Sequence, residues 1–88
     1  MKYSFNEESW KEYLHWHDTD KKIFKRINDL IKTISRSPYE GIGNPEALKH
    51  EYQGYWSRRI NREHRLIYKV TGTEIVIVKC RFHYRKLK

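Results

Sequence analysis

The chain has 88 residues with 19 Lys and Arg against 11 Asp and Glu, a formal net charge of +8. That length suits one small domain with a thin core, and a single cysteine excludes an internal disulfide framework. No apolar run approaches membrane-spanning length, and the opening Met1-Lys2-Tyr3-Ser4-Phe5-Asn6 leads straight into charged residues, so a reducing cytoplasm is the expected setting.

Residues 2–5 read as a short strand. Asn6 can cap a helix whose first turn holds Glu7 and Glu8, acidic residues that favour a helix N-terminus. Trp10, Tyr13, Leu14 and His17 then share one helical face. Asp18-Thr19-Asp20 reads as a break followed by a second cap. Ile23, Ile27, Leu30, Ile31 and Ile34 form an apolar stripe at helical spacing, with Lys21, Lys22, Lys25, Arg26 and Lys32 largely off it. Pro38 ends this helix. Two Pro and two Gly make residues 38–45 a loop, and residues 46–49 are expected to form a short helical turn. Runs at 55–61, 65–70 and 74–83 alternate or are rich in β-branched residues, with turns between them at 61–64 and 71–73.

The order β-α-α-β-β-β with short hairpins predicts an α+β fold: a mainly antiparallel twisted sheet with two helices on one face. The domain is expected to span residues 1–84, with a short basic tail at 85–88. Strand alternation sends Leu66, Tyr68 and Val70 one way and Arg65, Ile67 and Lys69 the other. The same count through the last strand puts Val76, Val78, Cys80 and Phe82 on the apolar face, with Ile77, Lys79, Arg81 and His83 opposite. The exposed face is then expected to be concave and basic, carrying Arg59, Arg65, Lys79, Arg81 and His83. Cys80, inside an apolar run, reads as a small buried hydrophobe.

Charge is unevenly spread. From Pro45 onward eleven Lys and Arg face four Asp and Glu, whereas the first 44 residues carry eight against seven. Tyr52, Tyr55, Trp56, Phe82 and Tyr84 are interleaved with the basic residues. Guanidinium forks suit phosphates and aromatic rings suit unpaired bases, so the pattern favours RNA or another nucleic acid over a merely solvated strand face. Glu46, Arg65 and His83 have the side-chain types that metal-free RNA cleavage demands: a base, a fixed cation and an acid. One of each also occurs in many small basic domains, as a loop Glu paired with Lys49 and an exposed His. His15, His17, His50 and His64 lack metal-ligand spacing with Cys80, so no metal and no other cofactor is expected. Gly41-Ile42-Gly43 follows no strand and is no phosphate loop.

Several segments in order carry a closer likeness. They include Glu8-Ser9-Trp10-Lys11-Glu12-Tyr13-Leu14, Pro38-Tyr39-Glu40-Gly41-Ile42-Gly43 and Pro45-Glu46-Ala47-Leu48-Lys49-His50. Gly54-Tyr55-Trp56-Ser57-Arg58-Arg59-Ile60, Glu63-His64-Arg65-Leu66-Ile67-Tyr68 and Cys80-Arg81-Phe82-His83-Tyr84 continue it. From about residue 4 to Tyr84 the chain resembles YoeB-type toxins of the Txe/YoeB branch of the RelE superfamily. The resemblance implies a microbial-ribonuclease-like α+β fold and a ribosome-dependent endoribonuclease that cuts mRNA in the A site and stops translation. By position it implies Glu46 as general base, His83 as general acid, Arg65 as transition-state cation and Tyr84 as the residue that positions or stacks the substrate. Lys49 and Arg59 would hold backbone phosphates, and Arg81 adds to the basic face. It also implies an acidic-tailed YefM-type antitoxin, operator DNA bound through the toxin–antitoxin complex, and a homodimer. The residues Arg85-Lys86-Leu87-Lys88 extend beyond the usual His-Tyr end of the family pattern. Two rival readings are a non-catalytic nucleic-acid-binding or repressor subunit and a gyrase-poisoning relative; the Glu, Arg and His-Tyr set disfavours the latter.

Overall fold

In the computed structural model, which describes residues 2–82, a five-stranded sheet carries two helices. In chain order the elements are β1 (Lys2–Phe5), α1 (Glu7–Thr19), α2 (Lys21–Arg36), β2 (Glu46–Ala47), β3 (Trp56–Arg59), β4 (Arg65–Val70) and β5 (Glu74–Lys79), with a 3₁₀ turn at His50–Tyr52. The spatial order is β1-β5-β4-β3-β2. Only the β1–β5 pair is parallel; the other three are antiparallel. The expected α+β class therefore holds.

Helix α1 starts as Asn6 and Ser9 satisfy each other's backbone N–H groups, a capping box. Asp20 caps α2 through the N–H groups of Lys22 and Ile23. The α2 stripe of Ile27, Leu30, Ile31 and Ile34 is buried against Leu66, Tyr68, Ile75 and Ile77 of the sheet. Cys80 closes this core, and burial pushes its thiol pKa far above the ordinary value. The thiol is thus an inert packing group. No helix among the described residues is long and apolar enough to cross a membrane.

Two expectations need correction. The first concerns residues 46–49: Glu46 and Ala47 form a short edge strand, β2, and the helical turn comes later at His50–Tyr52. The second concerns the faces of β5. Ile67 pairs with Lys79 but Tyr68 pairs with Ile77, so Val78 is an extra residue and the period-two count breaks there. Ile75 and Ile77 face the core, and after the bulge so does Cys80; Val76 and Val78 do not belong to it.

Helix α1 buries a polar face. Its buried residues are Ser9, Glu12 and Trp16, while Trp10 and Leu14 remain 47% and 40% exposed. The reason lies in β5. Strand β1 accompanies β5 only as far as Ile77, so the backbone groups beyond it need other partners. Helix α1 supplies them. Ser9 Oγ donates to the Ile77 carbonyl at 2.7 Å, Glu12 Oε1 accepts the Cys80 N–H at 2.8 Å, and Trp16 Nε1 donates to the Cys80 carbonyl at 2.9 Å.

Candidate active site

Strand register decides which candidate residues share a surface. Glu46 pairs with Ser57, Ser57 with Ile67, and Arg59 with Arg65. Residues paired across a ladder point the same way, as do residues two apart on one strand. Glu46, Ser57, Arg59, Arg65, Ile67 and Lys69 therefore lie on the sheet face away from the helices. Strands β2 and β4 are two strand spacings apart, and Arg65 lies two residues beyond Ile67. The Glu46 and Arg65 Cα atoms are accordingly about 12 Å apart.

Arg65 is half-buried and held. Its Nη1 donates to the carbonyls of Asn61 at 2.7 Å, His64 at 3.0 Å and Arg62 at 3.2 Å, so one corner of the guanidinium is fixed across the 61–64 turn. Asn61 Oδ1 in turn accepts the N–H groups of Glu63 and His64 and shapes that turn. A cation fixed before any ligand arrives needs no reorganisation to meet developing charge. Directly opposite it sits the exposed Arg59. Two guanidinium groups paired across a ladder repel one another, and an anion between them relieves that repulsion.

Glu46 is exposed at the sheet edge, and a buried clamp sets the loop that leads to it. Arg58 is fully buried on the helix side of β3. Its Nε donates to Tyr68 Oη at 3.0 Å, Nη1 to the Ile42 carbonyl at 2.9 Å, and Nη2 to the carbonyls of Ser37 and Glu40 at 2.8 and 2.9 Å. Tyr68 Oη donates in turn to the Pro38 carbonyl at 2.6 Å, and burial raises the phenol above its ordinary pKa. Gly43, at φ +85°, accepts the Arg59 N–H at 2.7 Å. A Cβ there would stand 2.7 Å from Leu30 Cδ2 and 3.0 Å from Arg58 Cβ, so glycine is required. The loop thereby delivers Glu46 to the edge of β3.

The remaining candidates divide. Lys49 is exposed just after β2, directly before the 3₁₀ turn, and Leu48 beside it is buried with its N–H on the Tyr55 carbonyl at 2.9 Å. Arg81 is not part of the open basic face: its guanidinium packs over the rings of Trp16 and Phe82, 5.8 and 4.7 Å from their centroids. Lys79 is engaged as well, bonded to Glu8 and 3.6 Å from Glu12. Burial opposes its charge, but the bond to Glu8 and the fields of Glu12 and Glu8 outweigh it and hold the pKa above the ordinary lysine value. Lys79 pairs with Ile67 and so keeps its expected face, but the α1 carboxylates engage it, as the two rings engage Arg81. His83 and Tyr84 lie outside the described residues.

A groove of about 590 Å³ borders this face, lined by Asn6, Glu8, Glu51, Tyr52, Tyr55, Val78 and Lys79. Tyr52 and Tyr55 meet edge to face, and the Lys69 ammonium lies 5.6 Å from the Tyr55 ring centroid. Sequence reading overlooked Arg58 and His64. Neither carried a signal, because Arg58 looks like its neighbour Arg59 and the partner of His64 is 18 residues away, at Phe82.

Comparison with known proteins gives this arrangement a family. Residues 5–84 match the model of the YoeB-like toxin of bacterial type II toxin–antitoxin systems. The chain belongs to the YoeB toxin family. Toxin YoeB of Escherichia coli strain K12 is 56% identical over 84 residues, which is 96% of this chain and all of that one. Toxin YoeB of a Synechocystis species is 55% identical over 86 residues, 98% of this chain and all of the relative. Among solved structures, a YoeB/ParE toxin from Agrobacterium tumefaciens superposes with a TM-score of 0.93 at 45% identity, covering 96% of this chain and all of that one. A heterotetrameric YoeB–YefM complex from Staphylococcus aureus follows at TM-score 0.88 and 45% identity, covering 96% and 98% of the two chains. YafQ of E. coli, 13% identical with a TM-score of 0.78, shares the fold. As a YoeB-family member the chain is the toxin of a type II toxin–antitoxin system, and its helix-free sheet face carries the basic and acidic residues described above.

Proposed function

We propose that the toxin is an endoribonuclease that cuts mRNA in the ribosomal A site by attack of the ribose 2′-OH on its own phosphate. The observation that carries this reading is the shared face of Glu46, Arg59 and Arg65, with Arg65 pinned by three carbonyls and Arg59 opposite it. Glu46 takes the 2′-OH proton as the 2′ oxygen bonds to phosphorus. Arg65 stabilises the charge that grows on the non-bridging oxygens. The bond from phosphorus to the 5′ oxygen breaks, and His83 donates a proton to that oxygen. The products are a 2′,3′-cyclic phosphate and a 5′-OH end. Tyr84 stacks or positions the substrate, and Lys49 and Arg59 hold flanking phosphates. No step requires a cofactor.

The same reading supplies partners. Relatives crystallise as a YoeB dimer and as YoeB–YefM complexes, both from S. aureus. An acidic YefM-type antitoxin suits a face with paired arginines, and the complex with it is the form that meets operator DNA. The free toxin pairs with a second copy of itself and acts in the cytoplasm on the ribosome and its mRNA.

The experiment is cleavage of mRNA on programmed ribosomes by the purified chain and by Glu46→Ala and His83→Ala, with mapping of new 5′-OH ends. New ends from the native chain that fall by about 10²-fold or more in each variant support the assignment. Salt-sensitive RNA binding without any new ends identifies a non-catalytic nucleic-acid-binding subunit instead.

A further inference from the structure

We propose that His64 is a positioning residue that grips the backbone of Phe82, the residue bonded to His83, and that it releases Phe82 when its ring takes up a proton. The inference rests on the catalytic role proposed above for His83.

Phe82 leaves β5 at φ +65°, a left-handed conformation that an aromatic residue seldom holds unless tertiary contacts impose it. Burial of its own ring cannot impose it, since Phe82 is 39% exposed. Hydrogen bonds at both of its backbone groups do. The Phe82 N–H donates to His64 Nδ1 at 2.8 Å, and the Arg65 N–H donates to the Phe82 carbonyl at 3.0 Å. Two consecutive residues, His64 in the turn and Arg65 at the start of β4, thus hold one peptide unit on each side of the Phe82 Cα. The second of these residues is the same Arg65 whose guanidinium faces the site.

His64 is itself well fixed. It is only 6% exposed, its ring meets Trp16 edge-on with centroids 4.8 Å apart, and the Phe82 ring lies 5.8 Å away. Accepting the Phe82 N–H requires a bare Nδ1, so the working ring is neutral with its proton on Nε2. Protonation turns Nδ1 into a donor facing another donor, and the bond is lost.

Among the described residues, charged groups approach the ring from several neighbouring elements. Glu63 Oε1 lies 3.7 Å from Nε2 and favours the proton. The Arg65 guanidinium at the His64 carbonyl opposes it, as does the Arg81 guanidinium packed over Trp16 and Phe82. On α1, His15 touches the Trp16 ring, and Glu12 is committed to the Cys80 N–H and Lys79.

The test uses the full chain, His64→Asn, whose side-chain oxygen can stand in for Nδ1 but does not titrate, and His64→Ala, which offers no acceptor. Protection of the Phe82 amide against hydrogen exchange is followed from about pH 8 to pH 5 together with the NMR shifts of the His64 ring. Single-turnover mRNA cleavage on programmed ribosomes is followed over the part of that range where ribosomes stay intact.

Protection in the native chain is expected to fall about tenfold or more as the His64 ring protonates. It should persist throughout in His64→Asn and be missing at every pH in His64→Ala. Cleavage should drop by about 10²-fold in His64→Ala, mainly in kcat, and recover in His64→Asn with an acid limb shallower than the native one. Unchanged Phe82 protection across His64 protonation, or His64→Asn as impaired as His64→Ala, overturns the proposal. Should His64→Ala fail to fold, the native titration and His64→Asn still decide. Should the native chain cut nothing, the ribonuclease reading falls, and the exchange measurement still decides whether His64 holds Phe82.

Discussion

Replacing Arg58 tests whether a buried cation, rather than loop composition, sets the approach to Glu46. The native guanidinium makes four hydrogen bonds, three of them to main-chain carbonyls of residues 37–42, and no water reaches it. Arg58→Met keeps much of the apolar stem but orphans those carbonyls and the Tyr68 hydroxyl oxygen. Bonds from a charged donor contribute about 1.5–3 kcal/mol each before the cost of dehydrating the guanidinium is counted. That cost is several kcal/mol, so the net loss is about 3–5 kcal/mol, the range seen when a buried charged network loses a member. Domains of this size have roughly 4–13 kcal/mol in total, so the variant should be close to unfolding. Arg58→Lys retains the charge but cannot fork to three carbonyls and a phenol, and should recover only about half of the loss. Urea unfolding of the purified proteins, read by tryptophan fluorescence, gives the midpoints. A midpoint for Arg58→Lys equal to the native one, or a loss below about 1 kcal/mol for Arg58→Met, would refute the account of this clamp.

Other expectations follow from the same contacts. Arg65→Lys keeps a cation but loses the fork and the three-carbonyl tether, and mRNA cleavage on ribosomes should fall about 10²–10³-fold with the fold intact by circular dichroism. Arg59→Gln removes a like-charge cross-strand pair, so the free toxin should gain a few tenths of a kcal/mol, on the order of 0.5, in thermal melts while the salt slope of RNA binding drops by about 1. Gly43→Ala should destabilise by about 1–3 kcal/mol, because the added methyl meets Leu30 and Arg58 and the backbone at φ +85° strains any side chain. Glu12 has its pKa raised above the ordinary 4.5, chiefly by burial, which the Cys80 N–H and Lys79 only partly offset. The folded state then holds this proton more tightly than the unfolded chain, so its contribution is full below pH 4.5 and is lost as pH rises through the folded value. Glu12→Gln, which keeps an oxygen for Cys80, should flatten that part of the urea-midpoint profile, and an unaltered profile would count against burial as the cause.

The parts legible in the sequence are those with an unbroken period. Helix α2 shows its stripe because every buried position from Ile27 to Ile34 faces one apolar layer. Arg59, Arg65 and Ile67 are legible on one face because Trp56–Arg59 pair with Arg65–Tyr68 without interruption. Legibility ends where backbone needs override periodicity. One extra residue at Val78 rotates the end of β5, and nothing in an alternating run of Ile and Val announces a bulge. Ser9 and Glu12 are buried in α1 because unpaired β5 groups call for polar side chains, a demand that inverts the usual meaning of a polar helix position. Strand β2 is two residues long, too short for any period, and Arg58 and Arg59 look alike until β3 sends them to opposite faces.

The two held pieces of backbone share a logic. Glu46 stands on a two-residue edge strand and Phe82 lies just past the end of β5, so neither has a long ladder to fix it. In both cases a buried side chain holds main-chain atoms instead: Arg58 grips residues 37–42, and His64 grips Phe82. Arg65 is held otherwise, by its ladder partner Arg59 and by the carbonyls of the 61–64 turn. The middle of the site is therefore as rigid as the sheet, while its two ends are only as rigid as two polar clamps. A partner that silences such a toxin need not fill the space around the phosphate. Loosening either clamp moves an end of the site while leaving the core of α2, β4 and β5 intact. Inhibition by that route would appear as lost amide protection confined to residues 37–47 and Phe82, whereas simple occlusion would raise protection there.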